Sequence, residues 1–200
     1  MTSFAEQTLA DFIAALAAPT PAPGGGAAAA VSGASAAALV EMVAGLSLKK
    51  SSDGADAVLQ QRVAAQMRTI RDDLLRLADD DARAYDAFIQ AARLPKVEEG
   101  EREARGRAMS AAAKHAADVP LQTLRATSTV AEAARSLTNR SLLSAASDLD
   151  VALRFARAAG LSAAENVEAN LPFIDDPEVR ATLANQTAAA LAALERLTQA

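Results

Sequence analysis

The chain has 200 residues, a net charge of −5, 51% hydrophobic residues and no cysteine. Its length sets one domain with a sizeable core, and the hydrophobic share excludes general disorder. The missing cysteines exclude disulfides, thiolate nucleophiles and cysteine-ligated zinc or iron–sulfur sites. The single histidine, His115, excludes a multi-histidine metal cluster within one chain. The acidic balance lacks the basic footprint of a nucleic-acid binder. The amino-terminal residues 1–6 lack the positive region of a secretory signal, so a cytoplasmic location is expected. Alanine makes up about a quarter of the chain, which favours helix over sheet.

Ser3 followed by Glu6 reads as a capping box that opens a helix from about Phe4 to Ala17, with Leu9, Phe12, Ile13 and Leu16 as its apolar stripe. The proline- and glycine-rich run 19–26 ends it. The next helix, Ala27 to Leu48, is long enough to cross a bilayer. Its composition of Ala, Gly and Ser around Glu41 instead predicts the central, closely packed helix of a bundle, and no membrane association is expected. A polar connection, 49–54, leads to a long helix from about Asp56 to Arg93, ended by Pro95. Leu59, Val63, Met67, Ile70, Leu74, Leu77, Ala84, Tyr85 and Phe88 give it a bundle seam. A fourth helix is predicted from about Glu98 to Ala117. Pro120 kinks it or opens a further helix ending near Thr138. Another helix follows Ser147, read as its N-cap, and reaches about Asn170. The last starts at Asp176-Pro177 and runs to Leu197. The expected fold is a single all-α bundle of six or seven helices without sheet.

The chemistry centres on Asp79-Asp80-Asp81. At about 100° per residue the helix splits this run: Asp79 points away from the apolar stripe and Asp81 lies on it, between Leu77 and Tyr85. A carboxylate so placed faces the interior or a cleft. It suits an acid–base group, or equally a structural acid paired with a buried arginine. Pro23-Gly24-Gly25-Gly26 precedes a helix and exposes backbone amides, without the Lys-Ser/Thr of a phosphate loop. Asn166 and Asn170 share a helix face. Lys49 and Lys50 read as a solvated turn or as partners for an acidic ligand tail, and His115 as a surface residue.

Together these residues resemble the cyclodeaminase/cyclohydrolase family of folate one-carbon enzymes. The resemblance rests on Ala22-Pro23-Gly24-Gly25-Gly26 before an Ala-rich helix with Met42-Val43, and on Asp81-Ala82-Arg83-Ala84-Tyr85. It continues through Leu94-Pro95-Lys96, Asp118-Val119-Pro120-Leu121 and Ser147-Asp148, and ends at Asn166-Val167 and Asn170. Two stretches depart from the family pattern: no aromatic follows Lys49-Lys50, and Ser141-Leu142 stands where a Gly-Asn pair is common. The resemblance implies a homodimeric enzyme that needs neither metal nor cofactor and acts on methenyl- or formimino-tetrahydrofolate. It implies Asp81 as the functional acid, with Asp148 as a second catalytic candidate that also suits a helix start. Pro23 and Gly24 to Gly26 would meet pterin or carboxylate oxygens, and Lys49, Lys50 or Lys96 the glutamate tail. Asn166 and Asn170 complete the expected substrate-binding set. A non-catalytic helical dimer that binds a folate-like ligand is the alternative.

Overall fold

The alanine-rich segment forms the axis around which the other helices are arranged. The structure, a computed structural model, describes residues 3–50 and 54–199, so Ser51, Ser52 and Asp53 of the expected polar connection lie outside the described residues. Six α-helices occur in chain order: α1 (Leu9–Ala17), α2 (Gly25–Leu48), α3 (Ala55–Ala92), α4 (Glu99–Ser136), α5 (Ala146–Asn170) and α6 (Pro177–Thr198). Short 3-10 turns, Phe4–Glu6, Leu143–Ala145 and Leu171–Phe173, precede α1 and flank α5, and no strand occurs among the described residues.

α2 packs against α3, α4 and α5. Its buried face is nearly all small (Ala27, Ala30, Ala34, Ala37 and Ala44, with Val40 and Val43), so neighbouring backbones approach closely. By length and composition α2 is also a helix that could cross a bilayer. Met67, Leu74, Leu121, Leu124, Leu137 and Leu194 supply the bulk of the core that the alanines do not. Gly160 of α5 permits the same close approach on the far side. A Cβ there would overlap the Leu194 side chain of α6 and stand 2.9 Å from Thr127 Oγ1 of α4.

Five local expectations change. Ser3 and Glu6 do not cap α1. Ser3 and Phe4 are instead tied to α3, the Ser3 hydroxyl donating to Asp79 Oδ2 (2.6 Å) and the Phe4 amide to Asp79 Oδ1 (2.8 Å). That holds 4–6 as a separate turn, and Thr8 caps α1 by accepting from the Asp11 amide at 3.1 Å. Asp79 is therefore half-buried and anchors the amino terminus. The α1 stripe is only partly used, with Phe12 buried edge-to-face against Phe4 while Leu9 and Ile13 are exposed. α4 runs unbroken through Pro120. α5 starts one residue before Ser147, which lies in the first turn and is exposed, because the Leu143–Ala145 turn leads directly into the helix.

Gly160→Ala should overpack the α4–α5–α6 junction. Such overpacking typically costs about 1–3 kcal/mol, so a lowered thermal midpoint with unchanged helical circular dichroism is the expected result.

Candidate active site

Pro21 lies beside the carboxy-terminal half of α3, and the chain enters α2 through buried Pro23, which follows a cis peptide bond. α2 then begins with Gly24 as N-cap, which carries no side chain to receive the free amides of the first turn. Asp81 of α3 fills that role from outside the helix, its carboxylate accepting the Ala27 amide. The approach requires glycine. A Cβ on Gly26 would overlap the Asp81 carboxylate itself.

Two opposed effects set the protonation of Asp81. Burial raises its pKa above the ordinary aspartate value, and the Ala27 hydrogen bond pulls it back only in part, so the net direction is upward. Among the described residues no lysine or arginine lies within ion-pair distance of Asp81. The structural reading, an acid neutralised by a buried arginine, is therefore not what the fold contains. Asp80, next in the run, pairs at the surface with Arg83.

Asp81 opens into a cavity of about 320 Å³. Its floor is Gly24, Gly25 and Gly26 at the start of α2. One wall is aromatic, built from Tyr85 and Phe88 of α3 and from Phe173, whose ring meets Phe88 edge-to-face at 5.1 Å. The opposite wall carries Asn166 and Asn170 of α5. Asn166 Nδ2 donates to the Ser162 carbonyl (2.7 Å), and Asn170 Nδ2 donates to the carbonyls of Asn166 (2.8 Å) and Ala116 (3.1 Å). Pro120 explains the last bond. Lacking an N–H, it leaves the carbonyl four residues back, that of Ala116, without its helical partner, and Asn170 takes it. Asn170 commits both amide hydrogens to backbone carbonyls and keeps its oxygen as an acceptor, whereas Asn166 commits one and retains an N–H donor as well as its oxygen. Aromatic faces, amide oxygens and a carboxylate together favour a flat ligand with N–H donors and positive charge.

The fold brings together Asp81, Gly24, Gly25, Gly26, Asn166 and Asn170 from the expected set, with Pro23 buried just behind. Asp148 sits part-buried in the first turn of α5, about 27 Å from Asn166 along that helix. Lys49 and Lys50 follow the far end of α2, about 35 Å along its axis from Gly26. Lys50 lines a separate 210 Å³ hollow with Gln60 and Arg140. Lys96 is exposed in the turn after α3, and His115 is exposed on α4. Tyr85 and Phe88, expected in the core seam, line the cavity instead. Phe173 was not among the expected residues, and its only sequence signal is an aromatic three positions after Asn170.

A helical bundle with a desolvated carboxylate facing an aromatic, acceptor-lined cavity is suited to acid–base chemistry on a planar cation. The chain belongs to the formiminotransferase-cyclodeaminase family, whose model matches residues 8–189. It is 39% identical over 171 residues to the methenyltetrahydrofolate cyclohydrolase of Methylorubrum extorquens, covering 85% of this chain and 82% of that one. It is 30% identical to the formimidoyltransferase-cyclodeaminase of Gallus gallus, over 86% of this chain but 32% of that longer protein. The crystal structure of formiminotetrahydrofolate cyclodeaminase from Thermotoga maritima superposes with a TM-score of 0.86 at 29% identity, covering 98% of this chain and 93% of that one.

Because the folded-state pKa of Asp81 is raised, the folded protein binds this proton more tightly than the unfolded chain. The stabilisation that goes with the bound proton is present at low pH and lost as pH rises through the folded pKa. Asp81→Asn should therefore melt no lower than the parent protein at neutral pH, since Asn still accepts from Ala27. Any gain in its melting temperature should shrink on acidification, as thermal melts across pH 3 to 8 would show.

Proposed function

We propose that this chain is a methenyltetrahydrofolate cyclohydrolase that opens the 5,10-methenyl bridge with water. The observation that carries the reading is Asp81, a desolvated carboxylate at the wall of an aromatic-lined cavity with no cation paired to it among the described residues. The methenyl bridge is a delocalised amidinium cation, and its flat ring system matches Tyr85, Phe88 and Phe173. Asp81 attracts the cation and takes a proton from the water that attacks the bridge carbon, giving a neutral tetrahedral intermediate. It then returns that proton to the departing folate nitrogen as the C–N bond breaks. The hydroxyl proton leaves to solvent and the formyl carbonyl forms. The chemistry is acid–base throughout and calls for no cofactor. The uncapped Gly25 and Gly26 amides in the first turn of α2 would suit oxygen atoms of the substrate.

The likeness to the Thermotoga cyclodeaminase favours a second reading, closure of the same ring from the formimino adduct with loss of ammonia. That reaction passes through a similar tetrahedral carbon, so the same carboxylate serves it. The two readings separate by substrate. Loss of the methenyl absorbance marks the first, and its appearance with ammonia release marks the second. In the active direction, Asp81→Asn should lower turnover by roughly 10²-fold or more while leaving the fold intact. Wild-type turnover in that variant would remove Asp81 from the mechanism, and folate binding without turnover by the parent would favour the non-catalytic alternative.

The proposal includes a cytoplasmic homodimer, not a membrane protein. Its support is the outer face of α2, where Ala28, Ser32, Ser35, Leu39, Met42 and Leu46 recur at alternating four- and three-residue steps with no charge among them. Met42 and Leu46 are each 41% exposed. The stripe is small in its first half and bulky in its second, so two copies interlock when α2 runs antiparallel to its mate about a two-fold axis. That arrangement would bring the partner's Lys49 and Lys50 toward the Gly24–Gly26 end. Sedimentation at micromolar concentration should show a dimer, and Met42→Arg should shift it to monomer. A monomeric parent protein would overturn the assembly.

A further inference from the structure

The cavity does not end at Tyr85. Asp81, Tyr85, Ile89 and Arg93 follow one another at four-residue spacing and form a single ridge on α3. Beside this ridge runs an open groove of about 430 Å³ that begins where Pro21 faces Tyr85, the two residues it shares with the cavity. It is lined further on by Asp86, Ile89, Gln90 and Arg93. The groove thus starts at Pro21 and Tyr85 beside the cavity and ends at a guanidinium.

Arg93 is placed for a ligand rather than for the fold. Among the described residues no carboxylate lies within ion-pair distance of it. The final carbonyls of α3 do not engage its side chain either, because Arg105 reaches across from α4 and donates Nε to the Ala92 carbonyl at 2.9 Å. Arg105 thus supplies the cation that a helix carboxy terminus favours, which leaves the Arg93 fork available. Along the helix, Arg93 lies about 18 Å from Asp81, and helical side chains lean back toward the amino terminus, which shortens the gap.

We infer that this groove binds the aryl-amide arm of the substrate and that Arg93 pairs with the carboxylate at its end. The inference rests on the folate reading above and deepens it. With the cationic ring at Asp81, the groove that shares Pro21 and Tyr85 with the cavity offers the rod-like p-aminobenzoylglutamate arm a continuous path. Pro21 and Tyr85 pack the benzoyl ring, and Ile89 continues the apolar floor. Asp86 repels a carboxylate halfway along, so the attractive position for the anionic end is Arg93. Arg93 is a specificity-determining residue in this arrangement and takes no part in bond making. Lys96, three residues on and exposed, is a further cation in the turn after α3.

The test compares two ligands on two proteins. One ligand is 5,10-methenyltetrahydrofolate; the other is its pteroyl amide analogue, in which a neutral amide replaces the glutamate. For Arg93→Gln, KM for the glutamate-bearing substrate should rise about tenfold, the usual scale for a lost charge-assisted pair, with kcat within twofold. KM for the neutral analogue should not change, and Arg93→Lys should recover part of the loss. Equal shifts on both substrates, or none on either, would overturn the groove assignment while leaving the Asp81 reading standing. Equilibrium binding of 5-formyltetrahydrofolate and its neutral amide is measured alongside, so the comparison does not depend on turnover. A parent protein that neither turns over nor binds either ligand would overturn the folate reading and this inference with it.

Discussion

Everything functional in this bundle depends on one close approach, that of the Asp81 carboxylate to the first turn of α2. A carboxylate taken out of water carries a large desolvation cost, normally relieved by an adjacent cation. Here it is relieved only in part, by a single backbone amide at a helix amino terminus. The remaining imbalance raises the proton affinity of Asp81 and keeps its charge available to a ligand. The same contact caps α2, whose N-cap glycine has no side chain to do so. Fold and site therefore share one interaction, and Gly26 is the residue whose lack of a side chain allows it.

The rest of the architecture follows from the size of the side chains. Alanine faces let α2 sit close to three neighbours at once, so the core has little room for large polar groups. The cavity arises at one end of the bundle, where the proline-glycine run and the Leu171–Phe173 turn replace packed helix and bring in residues that a regular seam would exclude. Pro120 acts within this scheme. It does not break α4, but it releases a carbonyl that orients Asn170 toward the cavity. A residue that disturbs helical hydrogen bonding in one element thus positions a polar group on another.

The distribution of charge gives the site its direction. Asp81 lies at the inner end, in a cavity it shares with two asparagines and three aromatic rings. Arg93 lies at the outer end, past Asp86, on the same ridge of α3. A ligand that is cationic at one end and anionic at the other meets complementary groups in both places, and the four-residue ridge sets the spacing between them.

Much of this is legible in the amino-acid sequence. Composition and spacing determined an all-helical chain, the span of the long α3, the small-residue character of α2, and the separation of Asp81 from its two acidic neighbours. These depend on local periodicity, which a helix imposes residue by residue. The glycine floor and the two asparagines were also readable, because i, i+4 spacing and helix entry are local features. Tertiary structure alone decided the rest. Asp79 looked solvent-facing on a helical wheel, yet Ser3 and Phe4 at the amino terminus come back to bind it. Tyr85 and Phe88 fit a core seam, yet the chain next to them is loop rather than helix. Asp148 and Lys50 accompany Asp81 in the family pattern, yet rigid helices hold them about 30 Å away within one chain. A helical period states which way a side chain points, but it carries no information about which other segment arrives there, and it is that arrival that turned a buried aspartate into the wall of a cavity.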